Sequence, residues 1–349
     1  MHNLIVLLDK LYKLGDKMLN VALIGLGWWG KTILALLQKS EKVRVVLIID
    51  VDPAARSVAE ENGIKTFADF NEAVSSEEVN AIILCTPHKF HCEQIVAAAK
   101  AGKHVFCEKP LTLSFNDATR ACAAVRNAGV QLGIGHERRF EPPIQEMMRM
   151  LKAGELGIPL QAEGNFSHNK AASLPLESWR FSPIESPGGP LTGTGIHLVD
   201  LSVAIFGSTK RVHATLSTMA SKYANGDTLA IHLNFADGGN SLITALYTTP
   251  FYGRFALFCS KGWVEIIDRS HPEAPTGWSM IRCIEGAQGP LIERIEYPSV
   301  SGVLVNLEAF ADAALGHKPY PITLDSMLHN IGALDGVLRS IDSREAVDL

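Results

Sequence analysis

Strand and helix patterns alternate along the first third of the chain. Leu19 to Ile24 is a short apolar strand, and Gly30 to Lys39 follows with Ile33, Leu34, Leu36 and Leu37 on a helical stripe. Val43 to Ile49 is almost continuously apolar, which suits a strand covered on both faces. Asp52 and Pro53 then supply an N-cap and a first-turn proline, and Gly63 sits where a helix would end. Ala81 to Cys85, Val105 to Cys107 and Val130 to Ile134 read as further buried strands. Helices over His91 to Ala101 and Asn116 to Asn127 separate them. Such alternation predicts βαβ units and a parallel sheet.

After about residue 150 the period changes. Leu229, Ile231, Leu233 and Phe235 alternate with polar neighbours, Asp237 to Asn240 is a hairpin turn, and Ser241 to Thr248 is the return strand. Arg211 to Met219, Phe255 to Cys259 and Trp263 to Ile267 look like further strands of an antiparallel sheet with one polar face. A helical stripe returns from Leu307, and a second helix over Leu324 to Ile341 closes the chain. The fold class is therefore α/β: a doubly wound parallel sheet plus an α+β unit with an open-faced, mostly antiparallel sheet. Three segments are expected. Residues 1–18 are an N-terminal extension, either an extra helix or the product of an upstream start. Residues 19–140 are a nucleotide-binding domain. Residues 141–349 bind substrate and mediate oligomerisation, with the last helices packing back on the first domain.

Composition narrows the function classes. The chain has 349 residues with net charge −5, which argues against a basic nucleic-acid binder. With 47% hydrophobic and 20% charged residues it can bury a sizeable core. No apolar run is long enough for a membrane span, and the N-terminus lacks a basic region and cleavage site. Six cysteines without a CxxC pair read as reduced thiols of a cytoplasmic protein. His88, His91 and Cys92 lack further ligands at fitting spacing, so no metal is expected.

The chemistry concentrates at strand ends. Gly25-Leu26-Gly27-Trp28-Trp29-Gly30 fits GxGxxG, follows a strand and opens a helix, and Asp50 ends the next strand 20 residues after Gly30. Gly25 permits a tight turn, Gly27 lets the backbone approach a pyrophosphate, and Gly30 allows close helix–sheet packing. Asp50 would accept from ribose hydroxyls and repel a 2′-phosphate, which favours NAD over NADP. Trp28 and Trp29 either pack at the cofactor mouth or fill a helix–sheet gap. Thr86 and Pro87 end another strand, with His91 and Glu93 starting a helix. Glu108, Lys109 and Pro110 fall at the carboxyl edge of the next strand, where doubly wound sheets bind ligands. A lysine there can hydrogen-bond a substrate hydroxyl and exchange a proton if its pKa is lowered.

These residues together resemble the Gfo/Idh/MocA oxidoreductase family. The resemblance is carried by Gly25 to Gly30, Asp50, Thr86-Pro87 with His91 and Glu93, Gly102 to Val105, and Glu108-Lys109-Pro110. Gly135 to Phe140 resembles the exit from that family's nucleotide domain. Trp179-Arg180, Gly188 to Leu191 and Gly195 to Asp200 with His197 resemble its substrate-domain signature.

The resemblance runs from about Leu19 to the C-terminus. It implies a Rossmann domain and nicotinamide-dependent oxidation or reduction of a sugar, inositol or related ring alcohol. It also implies a homodimer or homotetramer assembled through the open sheet, whose exposed face should offer apolar area. Lys109 and His197 are the implied catalytic residues. Gly25, Gly27, Trp28, Trp29, Gly30, Asp50, Thr86, Pro87, His91, Glu108 and Lys109 form the cofactor set.

Around the substrate stand His136, Arg139, Trp179, Arg180, Thr194 and Asp200. His136 and Glu137 either line the cleft or are structural. Arg138 and Arg139 form ion pairs or contact substrate. Asp200, three residues after His197, shares its helical face and would orient the imidazole. One departure stands out: where the family pattern carries an aspartate four residues before the histidine, this chain has Gly193. The rival readings are a dihydrodiol dehydrogenase, redox-assisted elimination or glycoside cleavage, and a nucleotide-sensing regulator without turnover.

Overall fold

The computed structural model describes residues 18–286 and 288–349, so the expectation for the N-terminal extension lies, apart from Met18, outside the described residues. Two sheets organise the chain. The first has six strands: β1 (Leu19–Ile24), β2 (Val43–Ile49), β3 (Lys65–Phe67), β4 (Ala81–Leu84), β5 (His104–Cys107) and β6 (Leu132–Ile134). Their order is β3-β2-β1-β4-β5-β6, and every pairing is parallel. Because β1 lies between β2 and β4, the chain reverses its direction of travel there and opens a crevice at the carboxyl ends. β1 and β4 are buried almost throughout, which explains their unbroken apolar runs.

Five helices connect these strands: α1 (Trp28–Leu37), α2 (Pro53–Glu60), α3 (Phe70–Ser75), α4 (His91–Lys100) and α5 (Phe115–Ala128). α1 begins two residues earlier than the stripe of leucines indicates, because Trp28 and Trp29 form its first turn. Asp52 caps α2 through Ala54 N–H with Pro53 behind it, as the sequence predicts. Gly63 adopts φ +73° just beyond α2. β3 and α3 escape the apolar pattern, since β3 has no fully buried residue and α3 only Ala73.

The chain leaves the first sheet through a 3-10 turn at Glu137–Phe140 and α6 (Pro142–Lys152). The second sheet has nine strands in the order β14-β13-β12-β11-β7-β10-β9-β8-β15. They are β7 (Pro159–Ser167), β8 (Thr209–Ser217), β9 (Thr228–Phe235), β10 (Asn240–Leu246), β11 (Tyr252–Cys259), β12 (Gly262–Asp268), β13 (Trp278–Gly286), β14 (Gly289–Tyr297) and β15 (Val347–Asp348). β9 and β10 form the expected hairpin, with Gly238 at φ +93° in its turn. β7 pairs parallel with β10, the one parallel pair among the described strands of this sheet. Gly164 in β7 is a close-approach site, because a Cβ there would meet the Leu198 side chain at 3.1 Å.

Helix α7 (Ile196–Phe206) lies against β7 and β10, preceded by a π-helical turn at Leu191–Gly195. Helix α8 (Gly302–Ala314) returns to the first sheet, against α1, β2, β5 and β6, while α9 (Leu324–Ser343) packs on α5, α7 and β8. These helices bury Leu229, Ile231, Leu233 and Phe235 as the alternation predicts. The opposite face is mixed in character. Glu163, Asn165, His213, Thr215, His232, Thr244 and Arg254 line part of it with Leu242 and Tyr252, and across β11 and β12 the register sets the half-buried Phe258, Trp263 and Ile267 on the same side as Arg254. In β8 and β9 the large apolar positions face the helices. No described helix is long and apolar enough to cross a membrane.

Candidate active site

The crevice gathers four strand ends. At the end of β1, Gly25 adopts φ +91°, and a Cβ on it would meet the Cys85 carbonyl at 2.8 Å. A Cβ on Gly30 would lie 2.0 Å from the Gly25 carbonyl, so α1 closes on the turn only with glycine there. Gly27 is the N-cap of α1 with no side-chain cap, and a Cβ on it would meet nothing within 4 Å. The helix start is thus an open cradle of unsatisfied amides, a shape that fits a pyrophosphate. Asp50 turns its carboxylate onto this loop, accepting from Leu26 N–H at 2.5 Å and Asp52 N–H at 2.8 Å. Each of its oxygens retains a lone pair for a ribose hydroxyl. Trp28 is 56% exposed at the mouth of the turn, while Trp29 packs on the core.

The β4 and β5 ends are tied together by His91. Its two ring nitrogens lie 2.9 Å from the Pro110 and Thr86 carbonyls, and the residue is fully buried. Burial lowers its pKa against the pull of those carbonyls. This corrects its placement among cofactor contacts: His91 has no open surface and positions the two strand ends. Thr86 donates to Gln94 at 2.6 Å and, like Pro87, remains half-buried at the edge of the crevice. Glu108 is buried against the Gly135 backbone, where a Cβ would lie 2.5 Å from its carboxylate. Burial raises its pKa, and the nearby Trp29 indole N–H opposes that rise without reaching a full hydrogen bond.

Lys109 leaves the same strand end and spans to the second sheet's helices, donating from Nζ to the Gly193 carbonyl at 2.7 Å. Burial lowers its pKa, with Glu137 and Glu108 opposing. His197 stands in the first turn of α7, one turn beyond Gly193, and is 3% exposed. Its Nδ1 faces Glu137 Oε2 at 3.4 Å, leaving Nε2 as the ring nitrogen on the opposite edge. Burial first, then Lys109, His136, Arg138 and His271, hold the imidazole well below its ordinary pKa, so it is neutral. Glu137 is pushed up to about 7 by burial, Lys109 opposing and Glu108 adding.

The expected partnership of His197 with Asp200 is not the one formed. Arg139 takes Asp200 bidentately, with Nε and Nη2 each 2.6 Å from an oxygen, and also donates to Ser326 at 2.8 Å. Asp200 is 1% exposed and meets His136 rather than His197, at 3.7 Å. Arg139 and Asp200 therefore form a buried ion pair that fastens the Glu137–Phe140 turn to α7, with His136, held down to about 4 by burial and so neutral, packed beside it. Thr194 is likewise buried, donating to the Pro190 carbonyl at 3.0 Å. Arg139, Asp200 and Thr194 thus spend their polar groups on protein partners, whereas His136 Nδ1 is buried without a hydrogen-bond partner among the described residues. Arg138 is buried too, donating to both Asp268 oxygens at 2.7 and 2.8 Å.

Trp179 and Arg180 do reach the crevice. The Trp179 ring meets His88 edge-on at 4.8 Å, and the Arg180 guanidinium lies 4.5 Å from the Trp179 ring centre. Glu137 is the carboxyl that faces His197 Nδ1, short of a hydrogen bond, whereas the sequence marks it only as a neighbour of His136. Tyr247, His168 and His271 also line this region, and nothing in their spacing announces them. His168 stacks on Tyr247 at 5.6 Å and meets His271 at 5.0 Å.

A parallel sheet with a glycine cradle at its switch point, facing a lysine and a neutral histidine, defines a nicotinamide-dependent oxidoreductase. Residues 19–136 match the model of the oxidoreductase family with the NAD-binding Rossmann fold, and residues 144–265 match the GFO/IDH/MocA C-terminal domain. The 1,5-anhydro-D-fructose reductase of Ensifer adhaerens is 31% identical over 299 residues, 83% of this chain and 86% of that protein. The myo-inositol 2-dehydrogenase of Thermotoga maritima is 29% identical over 255 residues, 70% and 74% of the two chains. A levoglucosan dehydrogenase, solved with NADH and levoglucosan, superposes with TM-score 0.82 at 20% identity over 95% of this chain and 99% of that one. The chain belongs to the Gfo/Idh/MocA family of NAD-binding oxidoreductases.

Proposed function

We propose that the chain is a dehydrogenase acting on a secondary alcohol of a sugar, cyclitol or related ring. Residues 19–140 serve the cofactor, and residues 141–349 serve the substrate and assembly. The observation that carries this reading is the bridge from Lys109 Nζ to the Gly193 carbonyl, one helical turn from His197. The names of the sugar and inositol relatives support the substrate class.

NAD, when bound, supplies the acceptor for the hydride that leaves the carbinol carbon. Gly25, Gly27 and Gly30 hold its pyrophosphate, and Asp50 holds the adenosine ribose. The C–H electron pair leaves with the hydride, the O–H bond supplies the electrons of the new C=O, and the hydroxyl proton must be taken up by the protein. Lys109 binds the hydroxyl and accepts or shares that proton, since burial has already moved its amine toward the neutral form. His197 assists from Nε2, with Glu137 orienting Nδ1. Trp179 and Arg180 border the substrate.

A cytoplasmic location fits the six cysteines, all free thiols. A homodimer or homotetramer through the uncovered face of the second sheet fits an architecture whose helices cover the other face. Light scattering at micromolar concentration tests the assembly, and a monomeric mass refutes it. The dehydrogenase reading predicts NADH formation with members of a polyol and sugar panel. NAD binding without hydride transfer to or from any member would refute it and favour a sensing role.

A further inference from the structure

Gly193 lacks a side chain for a reason the π-helical turn does not supply. Its φ lies outside the left-handed region, so the backbone would accept another residue. The obstacle is one side chain: a Cβ on Gly193 would lie 1.8 Å from Tyr247 Oη and 3.0 Å from its Cζ. Tyr247 thus fills the space that an acidic side chain at position 193 would need.

Its position is fixed from behind. The residue follows β10, and its backbone N–H donates to the Asp227 carbonyl at 2.9 Å. The ring stacks on His168 and packs with Phe181 and Tyr223, which themselves stack at 4.0 Å. Two charged groups share the neighbourhood. Lys109 Nζ is bonded to the carbonyl of the very residue the hydroxyl abuts. Arg180 interacts with Tyr247 and with no carboxylate among the described residues. The Tyr247 hydroxyl itself makes no hydrogen bond to protein among the described residues. A phenol held rigidly beside half-buried Gly193, with its donor and acceptor both free, is a preorganised ligand contact.

We propose that the Tyr247 hydroxyl takes the place of a side chain at position 193 and hydrogen-bonds a substrate hydroxyl next to the one held by Lys109. This rests on the dehydrogenase reading above and deepens it by naming a specificity-determining residue. Burial pushes the phenol up to about 12, so it stays neutral and acts by holding substrate rather than by moving a proton. The site therefore presents cationic and neutral donors where an aspartate would add a negative charge.

The test has a packing arm and a kinetic arm. Gly193→Ala should lower the melting temperature, and the double variant Gly193→Ala/Tyr247→Ala should recover part of the loss, because the colliding hydroxyl is gone. Gly193→Ala melting like the wild type would overturn the proposal, whether or not any substrate turns over. In the kinetic arm, Tyr247→Phe should keep the wild-type melting temperature, NADH affinity and pH profile. Its kcat/KM should fall about tenfold, the scale of one lost hydrogen bond, mostly through KM. Unchanged kcat/KM in Tyr247→Phe, with wild-type turnover intact, would overturn the contact and leave the dehydrogenase reading standing. A wild type that transfers hydride to or from no polyol would overturn that reading, and the Tyr247 assignment with it, even if the packing arm succeeds.

Discussion

Glu137 offers a perturbation whose size follows from its surroundings. The carboxyl is 7% exposed, beside a histidine that is itself neutral, and burial lifts it from an ordinary 4.5 to about 7. A raised carboxyl pKa means that the folded state prefers the protonated form. Its contribution to stability is full below about pH 4.5 and is lost as pH rises through 7. At about 1.4 kcal/mol per tenfold change in proton affinity, the loss approaches ~3 kcal/mol above neutrality. Glu137→Gln keeps the shape and cannot titrate. The variant's stability relative to wild type should therefore improve by up to about 3 kcal/mol between pH 5 and pH 8. Urea unfolding of both proteins at several pH values measures this, because titrations elsewhere largely cancel in the difference. A difference that stays flat across the range would refute the assignment of a high pKa to Glu137. The same variant should lose turnover near neutral pH, since His197 Nδ1 loses its carboxylate.

Three further outcomes follow from other parts of the structure. Asp50→Ala should narrow the preference for NAD over NADP by tenfold or more in calorimetric titrations; equal affinities for the two in the wild type would remove Asp50 from the ribose site. Asp268→Ala leaves the Arg138 guanidinium buried with only Glu141 at 3.5 Å, and should cost roughly 3–5 kcal/mol by denaturant unfolding. His197→Ala should lower kcat, and its loss should fail to add to that of Lys109→Ala if both serve one proton path, as steady-state rates of the double variant will show.

The first sheet is legible along the chain because parallel strands covered on both faces become apolar runs, and its helices carry local punctuation such as Asp52, Pro53 and Gly63. β3 is not, since an exposed edge strand of three residues needs no apolar face. In the second sheet the Asp237–Asn240 turn exposes one hairpin. β7 is hidden by Gly164, whose purpose appears only when α7 lies across it. The site divides along the same line. Residues at strand ends, Gly25 to Gly30, Asp50 and Lys109, announce themselves because the strand places them. The partner of His197 does not, because helical spacing points to Asp200 and cannot show that Arg139 has already taken it. Tyr247 is 54 residues from Gly193 along the chain, and only the folded structure reveals that one excludes a side chain from the other.

Single-turnover NADH formation by Lys109→Ala isolates the proton-transfer role of the lysine. Lys109 is placed to hold the reacting hydroxyl, and the cofactor's pyrophosphate is held elsewhere, by the turn from Gly25 to Gly30. The hydride-transfer rate should fall by about 10²-fold or more, the scale of one lost acid–base group, with NAD affinity unchanged. A near-normal rate in Lys109→Ala would contradict that role.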